Sequence, residues 1–288
     1  MKKSYSKKKT SVSRKLFRVF NTLFMAFLIM SIILPFVYIF EQSVVNYTLF
    51  GAKITVPPFD WTAVLYKEIF TMKSLYRPLM ISVFTTVMTT IFGLIVSSIS
   101  AYILIQKNMP GRKLFLAMII IAFVFDAGII PQFIVIYKLK LLNSLAAVII
   151  PLSLNIFNIV LMKNYFESLP QSILDAAEID GCTPANTFVK IVLPMSKPAL
   201  AAIGFFFAAA AWSEYISYVM YINDTLKQNF QYKLREEMAA REFGCAPIWN
   251  PKSLSSACIV VSALPIVILS LFAQKFYTPE FTMASVKE

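Results

Sequence analysis

Apolar residues along this chain show neither the alternation of a strand nor the single stripe of a surface helix. They come in long runs, at residues 20–40, 78–104, 114–136, 144–162, 198–222 and 254–276. A helix needs about 20 apolar residues to cross the hydrocarbon core of a bilayer. Runs of roughly 10–14 would fit a buried core helix equally well; these are longer, and several hold no charge. The pattern predicts an all-α polytopic membrane protein with six transmembrane helices. A basic arm spans residues 1–19, and residues 20–288 form one six-helix domain. Pro35 and Pro131 fall inside runs and are expected to bend them. In the polar interval 41–77, the stretch TVPPFDW reads as non-helical, because Pro57-Pro58 disfavours helix. The interval 223–253 contains a helical portion near Gln231–Glu242. It would touch a substrate-delivering protein or pack on a partner subunit.

Composition supports the class. Hydrophobic residues make up 58% of the 288 positions and the mean hydropathy is +0.69, against about 45–50% apolar in soluble domains. Charge then sets the orientation. Lys2, Lys3, Lys7, Lys8, Lys9, Arg14, Lys15 and Arg18 precede the first run without an acid among them. With both termini inside, 16 of the 27 Lys and Arg fall on the cytoplasmic side, as the positive-inside rule favours. The first run is too long for a signal peptide, and no small-x-small cleavage site follows it. The net charge of +12 is read as an arm near anionic lipid. No nucleic-acid-binding motif accompanies it.

Several chemistries lack their residues. There is no histidine, which removes the usual general base and zinc ligand. No two of the seven glycines are five apart, so the phosphate-cradling GxxxxGK[ST] is absent. Cys182, Cys245 and Cys258 have no metal-like spacing. The sequence therefore predicts no metal site, no cofactor in this chain and no catalysis by it.

One polar interval stands out. Within the cytoplasmic segment 168–196, the stretch DAAEIDGCTPANTFVKIVLP runs from Asp175 to Pro194. Ser168 and Pro170 suit the start of a short helix. Pro170, Leu174 and Ala177 share one face, and Gly181 suits the helix end. Thr183 and Pro184 open a second helix with an apolar stripe of Phe188, Ile191 and Val192. Ala176-Ala177 removes bulk, so another surface can approach the backbone, while Asp175, Glu178 and Asp180 add charged handles. The shape is a knob for a groove; the plainer reading is an amphipathic loop lying on the bilayer.

Charges inside spans are costly and usually face a cavity or a partner. Asp126 and Glu214 are such charges. On a continuous helix Glu214, Tyr218 and Tyr221 share one stripe, and Trp212 and Tyr215 another. Carboxylate and aromatic faces together suit a sugar, whose hydroxyls hydrogen-bond and whose C–H faces stack. Tyr and Trp also anchor spans at the interface. Asn155 and Asn158 share a face, as interhelical glue or as pathway.

Asp175-Ala176-Ala177, three residues, Gly181, nine residues, then Ile191-Val192-Leu193-Pro194 resembles the cytoplasmic Glu-Ala-Ala signature of bacterial ABC-importer permease subunits. Only the first position departs, with Asp for Glu. The runs FDAGIIPQFIVIYKLKLLNS, NIFNIVLMKNYFESLP and AAAAWSEYISYVMYIND extend the likeness to carbohydrate permeases of the maltose-permease class, in particular the oligosaccharide and polysaccharide permeases of the LplC/YtcP type. The resemblance implies a type I ABC importer permease fold in a bacterial cytoplasmic membrane. It implies that Asp175, Ala176, Ala177, Glu178, Asp180, Gly181, Ile191, Leu193 and Pro194 form the ATPase-coupling segment. The implied partners are a second, different permease chain, two ATPase subunits that carry ATP and Mg, an extracytoplasmic solute-binding protein and a glycan. The alternative is an ion-coupled secondary transporter using Asp126 and Glu214, which leaves the knob unexplained.

Overall fold

The computed structural model describes residues 12–44, 63–106, 109–125, 127–242 and 251–275, and every regular element among them is helical. In order these are α1 (Val12–Val44), α2 (Val64–Thr71), α3 (Lys73–Ile105), α4 (Arg112–Val124), α5 (Ile129–Lys138), α6 (Ala146–Ser153) and α7 (Ile156–Glu167). Then come α8 (Gln171–Ile179), α9 (Pro184–Thr187), a π turn (Phe188–Val192), α10 (Leu193–Met195), α11 (Lys197–Ser213) and α12 (Ile216–Tyr221). A 3₁₀ turn (Thr225–Lys227), α13 (Phe230–Glu242) and α14 (Pro251–Gln274) complete the described chain.

Four helical stretches are long and apolar enough to cross a membrane: Leu16–Val44, Lys73–Ile105, Ala146–Glu167 and Leu254–Gln274. They match the first, second, fourth and sixth predicted runs. The other two runs are interrupted, which corrects the expectation of unbroken helices there. In the third, α4 ends at Val124 and α5 restarts after Gly128, at φ 79° and ψ 177°, a conformation open essentially to glycine. In the fifth, α11 stops at Ser213 and Glu214 is extended, at φ −66° and ψ 129°. A fifth span is counted only if Pro184–Met195 and Lys197–Ser213, bent by 80°, are taken as one.

The chain divides into two units, 1–66 with 246–260, and 67–245 with 261–288. In the first, α1 is exposed along its apolar window, and Ser43 shares a 2.6 Å hydrogen bond with Tyr66 Oη.

The second unit is built on α3, which packs against α11, α7 and α6. Its buried face is small and polar: Ser82, Thr85, Thr86, Thr89, Gly93, Ser97 and Ala101 recur at helical spacing. Its exposed face carries Val83, Phe84, Val87, Ile91, Ile95 and Ile99. That inverted arrangement suits lipid outside and close helix packing inside, where small residues let backbones approach. Some hydroxyls are satisfied locally, as when Thr85 donates to Ile81 O at 2.9 Å and Ser98 to Leu94 O at 2.6 Å, whereas those of Thr86, Thr89 and Ser97 are buried without a partner among the described residues. Gly93 marks the tightest approach, since a Cβ there would sit 2.6 Å from Cε1 of Phe207 on α11.

Candidate functional site

The segment after α7 folds as two short helices joined by a tight turn. Ser168 does not cap α8 as expected. It closes α7 instead, its Oγ donating to Tyr165 O at 2.7 Å, and Pro170 takes the cap position of α8. Gly181 adopts φ 75°. Its N–H donates to Glu178 O at 3.1 Å and the Cys182 N–H to Ala177 O at 2.9 Å. This paired closure of a helix end requires the left-handed conformation at Gly181. Thr183 then accepts the Asn186 N–H at 3.4 Å, and Pro184 occupies the first turn of α9. The π turn follows because Pro194 has no N–H for the Lys190 carbonyl and its ring crowds that turn. Widening lets Leu193 N–H reach Phe188 O.

This tip has an anchored side and a bare side. Leu174, Phe188 and Val192 pack into a cluster with Tyr102 of α3, Phe166 of α7 and Ile203 and Phe207 of α11. The Tyr102 and Phe188 rings lie 4.9 Å apart. Ala177 is buried, and Ile191 and Leu193 are half-buried. Asp175, Ala176, Glu178, Asp180, Gly181 and Pro194 are exposed, and Ile179 is 85% exposed. Ile179 thus stands out to solvent beside the three carboxylates.

The second group gathers at the break after α11. The Glu214 carboxylate accepts the Ser217 N–H at 2.7 Å, so it caps the start of α12, where a negative charge is favoured. Asn229 Nδ2 donates to the Glu214 carbonyl, and Asn229 Oδ1 accepts the Tyr232 N–H at 2.9 Å. The break therefore removes the continuous stripe expected for Glu214, Tyr218 and Tyr221. Tyr218 is fully buried and donates to Thr85 Oγ1 at 3.0 Å. Tyr221 is buried with Ile136 and Ala147. Trp212 is buried, with Nε1 donating to Ser262 O at 2.8 Å. Tyr215 is half-buried, 6.1 Å from Tyr232, with the Arg235 guanidinium 4.4 Å from its ring centroid. Asn155 is exposed and caps α7 by accepting the Asn158 N–H at 3.0 Å, while Asn158 is buried. Asp126 lies outside the described residues.

Sequence reading missed two features here. Arg235 and Asn229 come from the interval 223–253 and complete the Glu214–Tyr215 group. Asn143, at φ 60°, gathers a polar clasp: its Oδ1 accepts the Asp224 N–H at 3.0 Å, and its carbonyl accepts from Lys227 Nζ at 2.9 Å. Asn at a turn tolerates positive φ, which was the available signal. Among the described residues no group of three His, Cys, Asp or Glu could hold a metal ion.

Residues 113–282 match the family described as binding-protein-dependent transport system inner membrane component. The chain belongs to that family. Among similar permeases, the polygalacturonan/rhamnogalacturonan transport system permease protein YtcP of Bacillus subtilis (strain 168) is 32% identical over 94% of this chain and 99% of its own. Protein LplC of the same organism is 31% identical over 95% of each chain. A chain in the crystal structure of a bacterial ABC transporter involved in the import of the acidic polysaccharide alginate superposes with a TM-score of 0.86. It is 28% identical, covering 94% of this permease and all of that chain. The bare tip and the polar break thus belong to an inner-membrane transport component.

Proposed function

We propose that this permease forms half of the translocation pathway of an ATP-driven importer for an acidic oligosaccharide. The observation that carries the reading is end-to-end similarity to a polygalacturonan/rhamnogalacturonan permease and to a chain of an alginate importer. Its partners would be a second permease chain, two ATPase subunits and an extracytoplasmic solute-binding protein. A structure of the alginate transporter with a pentasaccharide-bound periplasmic protein, 13% identical at a TM-score of 0.55, shares the fold. ATP and Mg would belong to the ATPase subunits, and this chain would do no chemistry.

The ATPase would dock on the exposed side of Asp175–Pro194, with both chain termini cytoplasmic. Ala176 lets a partner approach, Asp175, Glu178 and Asp180 supply charge, and Ile179 supplies apolar area. ATP-driven closure would shift the permease pair only through its different contacts in two states. The ion-coupled alternative is weakened because the Glu214 carboxylate already serves as a helix cap.

The test is purification in gentle detergent, identification of the companion chains, and ATPase assay with glycan-loaded binding protein. Co-purifying ATPase and permease subunits, with hydrolysis stimulated by an acidic oligosaccharide, are expected. A chain that purifies alone, with no nucleotide-hydrolysing partner, would overturn the reading.

A further inference from the structure

Arg235 is exposed on α13, yet its position is not that of a free surface arginine. Its guanidinium lies on the Tyr215 ring, 4.4 Å from the centroid. Among the described residues it makes no ion pair; the three salt bridges there are Lys163–Glu167, Lys227–Asp224 and Lys233–Glu236. The nearby Glu214 carboxylate is engaged with the Ser217 N–H.

The support beneath Arg235 is rigid for local reasons. Tyr215 sits at the break between α11 and α12, at φ −131° and ψ −43°. Tyr232 flanks it, with the two rings tilted by 32°. Asn229, itself buried, ties both ends of the pair: it donates to the Glu214 carbonyl and accepts the Tyr232 N–H. The Phe230 N–H, between them, donates to Ser82 Oγ of α3 at 2.9 Å. The guanidinium carbon is thus held over an aromatic ring, and among the described residues no carboxylate pairs with it.

We propose that Arg235, held on Tyr215, reads the carboxylate of an acidic sugar residue of the imported glycan. A guanidinium presents paired N–H donors that match a carboxylate, and stacking on a ring fixes its plane beforehand. Tyr232, beside the pair, offers an aromatic face for the sugar's C–H surface. A neutral glycan gains nothing from the charge, so Arg235 discriminates between charged and uncharged sugars. The assignment rests on the acidic-oligosaccharide reading above.

The experiment uses the intact importer in proteoliposomes, with uptake of oligogalacturonate delivered by its binding protein, whose loading is measured separately. Losing a charge-assisted contact raises KM by about tenfold or more. Arg235→Gln is expected to show that rise, in KM rather than in kcat. Arg235→Lys restores it only in part, because an ammonium lacks the planar pair. Arg77→Gln removes another exposed positive charge and is expected to leave KM unaltered. Arg235→Gln with wild-type KM, or Arg77→Gln with an equal rise, overturns the assignment while the importer stands. Wild-type uptake of methyl-esterified oligogalacturonate but not of the acid also overturns it. Absence of any glycan-stimulated ATPase activity overturns the importer reading and this assignment together.

Discussion

Gly181 tests the tip most directly, because its substitution separates backbone strain from packing. Its φ is 75°, and a Cβ built there would meet nothing within 4 Å. Any effect of Gly181→Ala is therefore conformational. A left-handed conformation costs an L-residue about 1–2 kcal/mol, with asparagine tolerating it better. Gly181→Pro does more: φ near −65° is incompatible with the turn. It also deletes the N–H donated to Glu178 O, worth about 1 kcal/mol net. A loss of 1–2 kcal/mol changes a local open-to-closed ratio by about 5- to 30-fold. The assay is glycan uptake and ATP hydrolysis by the reconstituted complex, read as ATP spent per glycan. The expected order is wild type, Asn, Ala, Pro, with uptake falling at Pro while the complex still assembles. Wild-type uptake and an unchanged ratio in Gly181→Pro would refute the claim that this turn shapes a coupling surface.

Three further outcomes test the packing. Gly93→Ala places a Cβ 2.6 Å from the Phe207 ring, and overpacking costs about 1–3 kcal/mol; Phe207→Leu in the same chain should recover part of that loss, and additive thermal shifts would show that the contact is not shared. Tyr218→Phe removes the bond to Thr85 Oγ1 and should cost about 0.5–1.5 kcal/mol of stability, seen as a lower midpoint in detergent with uptake within twofold; lost uptake at full stability would place the hydroxyl in the pathway instead. Asn143→Ala removes the acceptor for the Asp224 N–H and puts Ala at positive φ, so the clasp should exchange its amide hydrogens faster, and unchanged protection at Asp224 would count against it.

The spans that were legible in the sequence are those whose helices need nothing from elsewhere. Runs 20–40 and 78–104 are continuous helices because apolar side chains face outward and the backbone satisfies itself. The breaks were less visible. Nothing in AAAAWSEYISY is a glycine or proline; the helix opens because Glu214 caps α12 and Asn229 binds its carbonyl. A helical wheel drawn across that opening put Glu214, Tyr218 and Tyr221 on one stripe, and the break makes that wheel invalid. Gly128 did carry a signal, but hydropathy averages over it. The turn at Gly181 was readable, because a glycine followed by Thr-Pro states both the end of one helix and the start of the next. Ser168 reads in the sequence as opening α8, but it closes α7, its hydroxyl donating to the Tyr165 carbonyl.

The two groups of candidate residues lie at opposite ends of one element. α11 runs 17 residues from Lys197 to Ser213, about 25 Å at 1.5 Å per residue. At one end is the buried bend at Ser196 and, through Phe188 and Val192, the tip. At the other are Trp212, Glu214 and Tyr215. Ile203 and Phe207 on this helix belong to the same cluster as Phe188 and Val192, so a push on the tip meets packed side chains rather than a loose loop. Because Gly93 lets α11 lie hard against α3, such a push would move the helix along or about α3 rather than compress the contact. At its far end α11 is tied through Glu214 to Ser217 of α12 and to Asn229, so a shift of the helix would carry that group with it. In the proposed importer, closure of the ATPase pair would therefore be read at Tyr215 and Arg235 as a change in how the platform is presented. Two distances, from Ile99→Cys on the exposed face of α3 to Ile179→Cys and to Arg235→Cys, each measured with and without ATP in an otherwise cysteine-free chain, decide this: a change in both supports rigid transmission, and a change in the tip distance alone refutes it.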